Sequence, residues 1–281
     1  MANCLVTKLK SVVNNDNLPK FGCLYFKAKT LASAGNYSYF LKLETNDEVT
    51  ISIKEEGYQF RREDSQTSVR SYTLRSSMGI VDFKFENGDY TVEVTNKYSI
   101  TKIYFGYATD IENKLLNVNI DELKFNSGLT ELSLWNSVDT DGSLSSLEGK
   151  NLTTLDLSKS KVIGNITSIA SMKGLTSLNI SNTEINGDIS VLSEHIELNT
   201  LRLSKYITGF ITSLGKATKL VTLAAPNIEG TYEELATAMI SNGRTSGTLT
   251  ISTEKLTYNG ELLTNASITF NGSNYTVTPI N

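Results

Sequence analysis

The sequence predicts a mainly β chain with some α/β character: a small antiparallel β-sandwich, a short repeat solenoid, and a C-terminal β-hairpin cap. Three observations predict this. Residues 31–115 carry five short runs in which apolar and polar positions alternate. A strict 23-residue period governs the leucines of residues 129–203. Two more alternating runs flank Asn271-Gly272-Ser273-Asn274.

The sandwich runs are Tyr39–Leu43, Val49–Ile53, Ile80–Phe85, Tyr90–Val94 and Ile100–Phe105. Period-two alternation puts one set of side chains on a buried face and the other in water, which is the pattern of a half-buried strand. Turn-forming residues separate the runs, Glu86-Asn87-Gly88-Asp89 among them. Short strands at this density suggest two packed antiparallel sheets. Phe21–Lys27 is a candidate for a further strand.

The solenoid rests on four copies of L-x-x-L-x-L, starting at Leu129, Leu152, Leu175 and Leu198, each 23 residues after the last. A weaker copy begins 22 residues later at Leu220 and meets Ala225-Pro226 in its strand. The leucines point inward. The outward set reads Glu131, Ser133 and Trp135, then Thr154, Asp156 and Ser158, then Ser177, Asn179 and Ser181, then Thr200, Arg202 and Ser204. Each strand is followed by a Gly-x-apolar triplet, at Gly142, Gly164, Gly187 and Gly209. The glycine is expected to turn the chain off the sheet, and Leu147, Ile169, Leu192 and Leu214 close each coil on its convex side. Leu123–Phe125 is expected to be the strand that starts the stack, and Glu233–Ile240 a short helix.

Over residues 120–252 this pattern resembles leucine-rich repeat proteins of the bacterial or plant type. No proline follows the Gly-x-Ile triplet, and Ser137, Ser160 and Thr183 stand where the usual ladder asparagine would be. The resemblance implies a parallel sheet with an exposed concave face for touching partners. Of the outward residues, Glu131, Trp135, Asp156, Asn179 and Arg202 are the candidate contact set. Trp135, the only tryptophan, fits either of two roles: a contact for a sugar ring or protein partner, or packing at the junction with the sandwich. Ser267–Phe270 and Tyr275–Thr278 form the terminal hairpin, expected to cover the open end of the stack.

Composition narrows the function. A net charge of −4 with 20% charged residues argues against a nucleic-acid surface. No run is long and apolar enough to insert in a membrane, and the first residues lack the apolar core of a secretory signal, so the chain is expected on the cytoplasmic side where it is made. Cys4 and Cys23, the two cysteines, are expected as thiols. His195, the single histidine, reads as a surface residue with no nucleophile beside it. Asp139-Thr140-Asp141-Gly142-Ser143 has the look of a calcium loop, but Lys150 stands where an EF-hand would carry its bidentate glutamate. Arg61 and Arg62, among interleaved acids, read as a solvated strand edge. The expectation is no enzyme, no metal and no cofactor.

Met1 to Lys10, with Asn14-Asn15-Asp16-Asn17-Leu18-Pro19-Lys20, resembles the start of virion structural proteins of crAss-like phages of Bacteroides. That resemblance implies a phage virion surface component, a capsid fibre or decoration protein. Residues 1–30 would attach it to the capsid through Leu5, Val6, Leu9 and Leu18, followed by a sandwich over 31–115, a solenoid over 116–252 and a cap over 253–281. Its expected partners are other virion proteins, a host-surface glycan or protein, and further copies of itself. The alternative is a bacterial leucine-rich repeat surface or adhesion protein.

Overall fold

The computed structural model describes residues 22–28, 37–62, 64–105 and 117–280. Leu5, Val6, Leu9, Leu18 and Cys4 lie outside the described residues. The strands of the N-terminal half are β1 (Leu24–Ala28), β2 (Tyr37–Thr45), β3 (Val49–Ile53), β4 (Phe60–Arg62), β5 (Ser71–Leu74), β6 (Val81–Glu86), β7 (Tyr90–Val94) and β8 (Ile100–Phe105). One antiparallel sheet runs in the order β1-β7-β3-β5, and β8-β2-β6-β4 opposes it. Alternation decides which side chains meet between them. Leu41, Leu43, Phe83 and Phe85 from one sheet and Phe26, Ile51, Val92 and Val94 from the other are all buried. Phe26 crosses to Phe105 edge-on at 5.1 Å between centroids, and Phe60 stacks on Phe85 at 4.8 Å. Cys23 is buried beside β1.

The solenoid contributes β9 (Glu131–Ser133), β10 (Thr154–Asp156), β11 (Ile163–Asn165), β12 (Ser177–Asn179), β13 (Glu184–Asp188), β14 (Thr200–Arg202), β15 (Ile207–Thr208) and β16 (Thr222–Ala225). The parallel ladder β9-β10-β12-β14-β16 places Leu132, Leu155, Leu178, Leu201 and Leu223 opposite one another in turn. Every one of those leucines is buried. β11, β13 and β15 form a narrow second sheet along the flank.

The stack starts differently from the expectation. Residues 123–125 are no strand: Ile120–Leu123 is a 3-10 helix whose N-cap, Asn119, accepts the Asp121 N–H at 2.8 Å. These residues lie one period before the convex turn Leu144–Leu147 and repeat its conformation. Phe125 is exposed. The strand that opens the stack is β8 of the sandwich, which pairs in parallel with β9 and sets Ile103 opposite Leu132. The two halves therefore share one sheet.

The first three coils leave the sheet through a left-handed residue: Asn136 at φ 61°, Lys159 at 59° and Asn182 at 55°, spaced by one period. Each returns through the glycine. Gly187 has φ 125°, and a Cβ there would lie 2.9 Å from Oδ1 of Asn165 in the preceding coil. Glycine is required twice over, by its backbone angle and by the close approach of the next layer. A 3-10 helix follows, capped by a side chain in most coils: Ser143, Asn165 and Asp188 each accept the N–H two residues on. Phe210 occupies the same place without a cap and is exposed.

His195 is a second correction. It is 1% exposed, with Nε2 3.2 Å from the Ile169 carbonyl and no partner for Nδ1. It lies three residues after Leu192, as Met172 lies three after Ile169, and both fill the same buried column. Burial pushes its pKa down, with Lys173 adding to this and the Ile169 carbonyl opposing it. One period before Met172, Lys150 is equally enclosed, and its ammonium donates to the Lys124 and Asn126 carbonyls at 3.1 and 2.7 Å.

The last coil is closed by helix α1 (Tyr232–Ser241), one residue longer at each end than expected, with a full capping box between Thr231 and Glu234. Then come β17 (Ser246–Thr253), β18 (Thr257–Tyr258), β19 (Glu261–Leu262), β20 (Asn265–Asn271) and β21 (Asn274–Pro279). The terminal hairpin is present as expected: it continues the sheet beyond β16 through β17 and adds the buried Ala266, Ile268, Phe270 and Val277 to the core at that end of the stack. The end of the stack is also covered by α1, which packs so closely on the fourth coil that a Cβ on Gly215 would lie 2.8 Å from that of Ala238. Among the described residues the main sheet thus counts twelve strands, β21-β20-β17-β16-β14-β12-β10-β9-β8-β2-β6-β4.

Candidate binding face

The register builds two rows of side chains on the open face of this sheet. One runs Lys102, Glu131, Thr154, Ser177, Thr200 and Thr222; the other runs Tyr104, Ser133, Asp156, Asn179, Arg202 and Ala224. The expected contact residues Glu131, Asp156, Asn179 and Arg202 do share this face. Ser158 and Ser204, expected to join them, are buried. The fourth copy is a residue shorter after its strand, which turns Ser204 inward, where its hydroxyl donates to the Thr183 carbonyl at 2.9 Å.

The charges at the sandwich end satisfy one another. Lys102 bridges Glu131 at 3.0 Å and Glu44 at 3.2 Å, and Lys42 pairs with Asp82 at 2.8 Å. The Tyr104 hydroxyl also donates to Glu131. Burial works to raise the Glu131 carboxyl, but Tyr104 and Lys102 outweigh it and hold its pKa below the ordinary carboxylate value. Hydrogen bonds from Glu131 and Glu44 raise Lys102 correspondingly. Sequence reading found Glu131 but missed Lys102, Tyr104 and Glu44. Only the non-local pairing of β8 with β9 brings them together.

Asp156 and Asn179 are held in place. Ser158 donates to Asp156 Oδ1 through its N–H at 2.9 Å and its hydroxyl at 2.6 Å. Asn179 Nδ2 reaches Asp156 Oδ2 at 3.0 Å, and Ser181 repeats the motif on Asn179 Oδ1. The result is a fixed polar ladder whose side chains have little rotamer freedom left to lose.

Trp135 follows β9 directly and remains 38% exposed, so part of this large side chain is open to solvent. Arg202 is exposed, set between Asn179 and Ala224, and its guanidinium has no hydrogen bond or ion pair among the described residues. The face therefore joins an aromatic platform, a rigid strip of amide and carboxylate, and an uncommitted cation.

Other sequence candidates are not brought together. Asp139 pairs with Lys161 at 2.6 Å, and the Asp141 carbonyl accepts the Ile120 N–H at 2.9 Å. Among the described residues no group of three or more His, Cys, Asp or Glu side chains is placed to hold a metal. A cleft of about 340 Å³ beside β1 is lined by Tyr25, Lys27, Asn117, Glu122, Asp139 and Asp141. Burial raises Glu122 there against the Tyr25 N–H that it accepts at 3.2 Å. Among the described residues no helix is long and apolar enough to cross a membrane.

No protein-family model and no curated protein matches the chain. Solved structures with a similar path include internalin InlF of Listeria monocytogenes, 17% identical with a TM-score of 0.34, over 52% of this chain and 49% of that one. Internalin C2 of the same species is 17% identical over 57% of this chain and 74% of its own, TM-score 0.36. The leucine-rich repeat ectodomain of the receptor kinase SOBIR1 from Arabidopsis thaliana is 14% identical over 72% and 83%, TM-score 0.32. The chain spans about half the length of the InlF structure. The repeat is established by this chain's own 23-residue register and stacked parallel strands: by fold, its second half is a leucine-rich repeat solenoid.

Proposed function

We propose that the chain is a non-catalytic binding module that engages a protein or glycan through the open face of the solenoid sheet. The observation that carries this is Trp135, a large aromatic left exposed at the head of the rigid Asp156–Asn179 ladder. An aromatic face suits a sugar ring or an apolar anchor. Preformed amide and carboxylate partners orient what lands on it, and Arg202 adds a cation for a carboxylate or sulfate.

In its fuller form the module belongs to a phage particle, as a capsid fibre or decoration protein. Residues 1–30 dock to another virion protein through Leu5, Val6, Leu9 and Leu18, the β-sandwich over 31–115 serves as spacer, and the capped solenoid over 116–281 projects toward the host surface. The opening residues favour this reading. A bacterial surface protein using the same face accounts equally for the fold. Deleting residues 1–22 separates the two: on the particle reading the truncated chain folds but is missing from purified virions, as read by mass spectrometry. Normal incorporation of the truncated chain refutes the docking role.

A further inference from the structure

We propose that strand β21 is a self-association edge through which two copies of this chain join their sheets. The main sheet has two ends, and they are built differently. At the far end β4 has only three residues, two of them Arg61 and Arg62, and its outer side is already bridged to Val69 by a pair of backbone hydrogen bonds. In the smaller sheet, β1 is bridged to Asn117 on its outer side, and the four-residue β5 is flanked by Arg70 and Arg75. Short length, charge and cover are the usual protections of an exposed edge.

Among the described residues β21 carries none of these along its length until Pro279. It is six residues long, and no charged residue occurs from Leu262 to Asn281. Its register with β20, together with the Ile280 N–H bonded to the Asn265 carbonyl, turns the even-numbered backbone groups toward β20. The N–H and C=O groups of Tyr275 and Val277 therefore face outward along the free edge. Unpaired groups in a neutral, extended strand are a template for another strand.

A second copy of β21 fits this edge. Set antiparallel with Val277 opposite its counterpart, the two Val277 residues exchange N–H to C=O bonds, and each Tyr275 N–H donates to the Pro279 carbonyl of the other copy. The exposed Thr276 then lies opposite Thr278 of the other copy. No like charges oppose one another, so self-pairing meets no electrostatic penalty. The arrangement is isologous and closes at two copies, because the protected far edge cannot continue the chain of contacts. A six-residue edge is a small interface, so the dimer is expected in the micromolar range.

The test is sedimentation of the full chain across low to high micromolar concentration, alongside two variants. T276K/T278K places lysines against lysines across the paired edges, and T276E/T278E does the same with carboxylates. Both positions are exposed, so unchanged thermal melting confirms that folding is intact. The wild type is expected to dimerise reversibly. Each variant alone should weaken dimerisation about tenfold or more, and mixing the two should restore it. A wild-type chain that stays monomeric overturns the proposal. So does a dimer that neither variant disturbs, which would place the contact elsewhere.

Discussion

Trp135, in the first coil, and His195, on the convex side of the third, invert what their types suggest. The large apolar ring is exposed and the titratable one is enclosed. Trp135→Ala should therefore cost under about 0.5 kcal/mol in stability, as surface changes do, while binding weakens by about 2 kcal/mol or more if the ring anchors a partner. Chemical denaturation and a binding isotherm on the same variant separate the two. His195 has a depressed folded pKa, so the native chain keeps it neutral while the unfolded chain takes up a proton below about pH 6.5. Its contribution is complete above that pH and is lost as pH falls toward the folded value. His195→Met, which copies Met172 in the preceding coil, should flatten the stability profile below about pH 6.5. An unchanged slope would show that the ring is not the titrating group. The sequence could have revealed this burial, since the residue three after each convex leucine or isoleucine is apolar at Met172 and Ala217. Reading His195 by type alone hid it.

At the level of the coil, glycine and cap decide stability. Gly187→Ala meets both a disallowed φ and the Asn165 side chain, and should cost about 2–4 kcal/mol. Gly149→Ala has φ 75° but open space, and should cost about 1 kcal/mol. Equal losses would mean that layer contact contributes nothing. Phe210→Asn supplies the cap that neighbouring coils possess, and should raise stability by about 0.5–1 kcal/mol, measured by urea titration. The 23-residue leucine spacing made these coils legible because each repeats one backbone path. The first turn was misread because Leu123–Phe125 offers an alternating triplet too short to separate strand from 3-10 helix. The sandwich strands β3, β7 and β8 were legible to the residue, since alternation over five or six positions leaves one register.

For the whole molecule, the continuous sheet matters most. β8 belongs to the sandwich by hydrogen bonding to β2 and to the solenoid by pairing with β9. No local pattern announces that contact, which is why the Glu44–Lys102–Glu131 cluster was invisible in the sequence. Unfolding should then be a single transition, with Trp135 fluorescence at the seam and far-UV circular dichroism giving coincident curves. Two separated transitions would show that the halves fold independently.

The most direct test of the binding face is to titrate the full chain against an immobilised glycan panel, comparing wild type, Trp135→Ala and Thr212→Ala. Thr212 is exposed on the convex side, away from the sheet face. The sheet-face account predicts that Trp135→Ala loses binding about 30-fold or more while Thr212→Ala binds as wild type. Equal binding by all three chains, or loss only with Thr212→Ala, would contradict it.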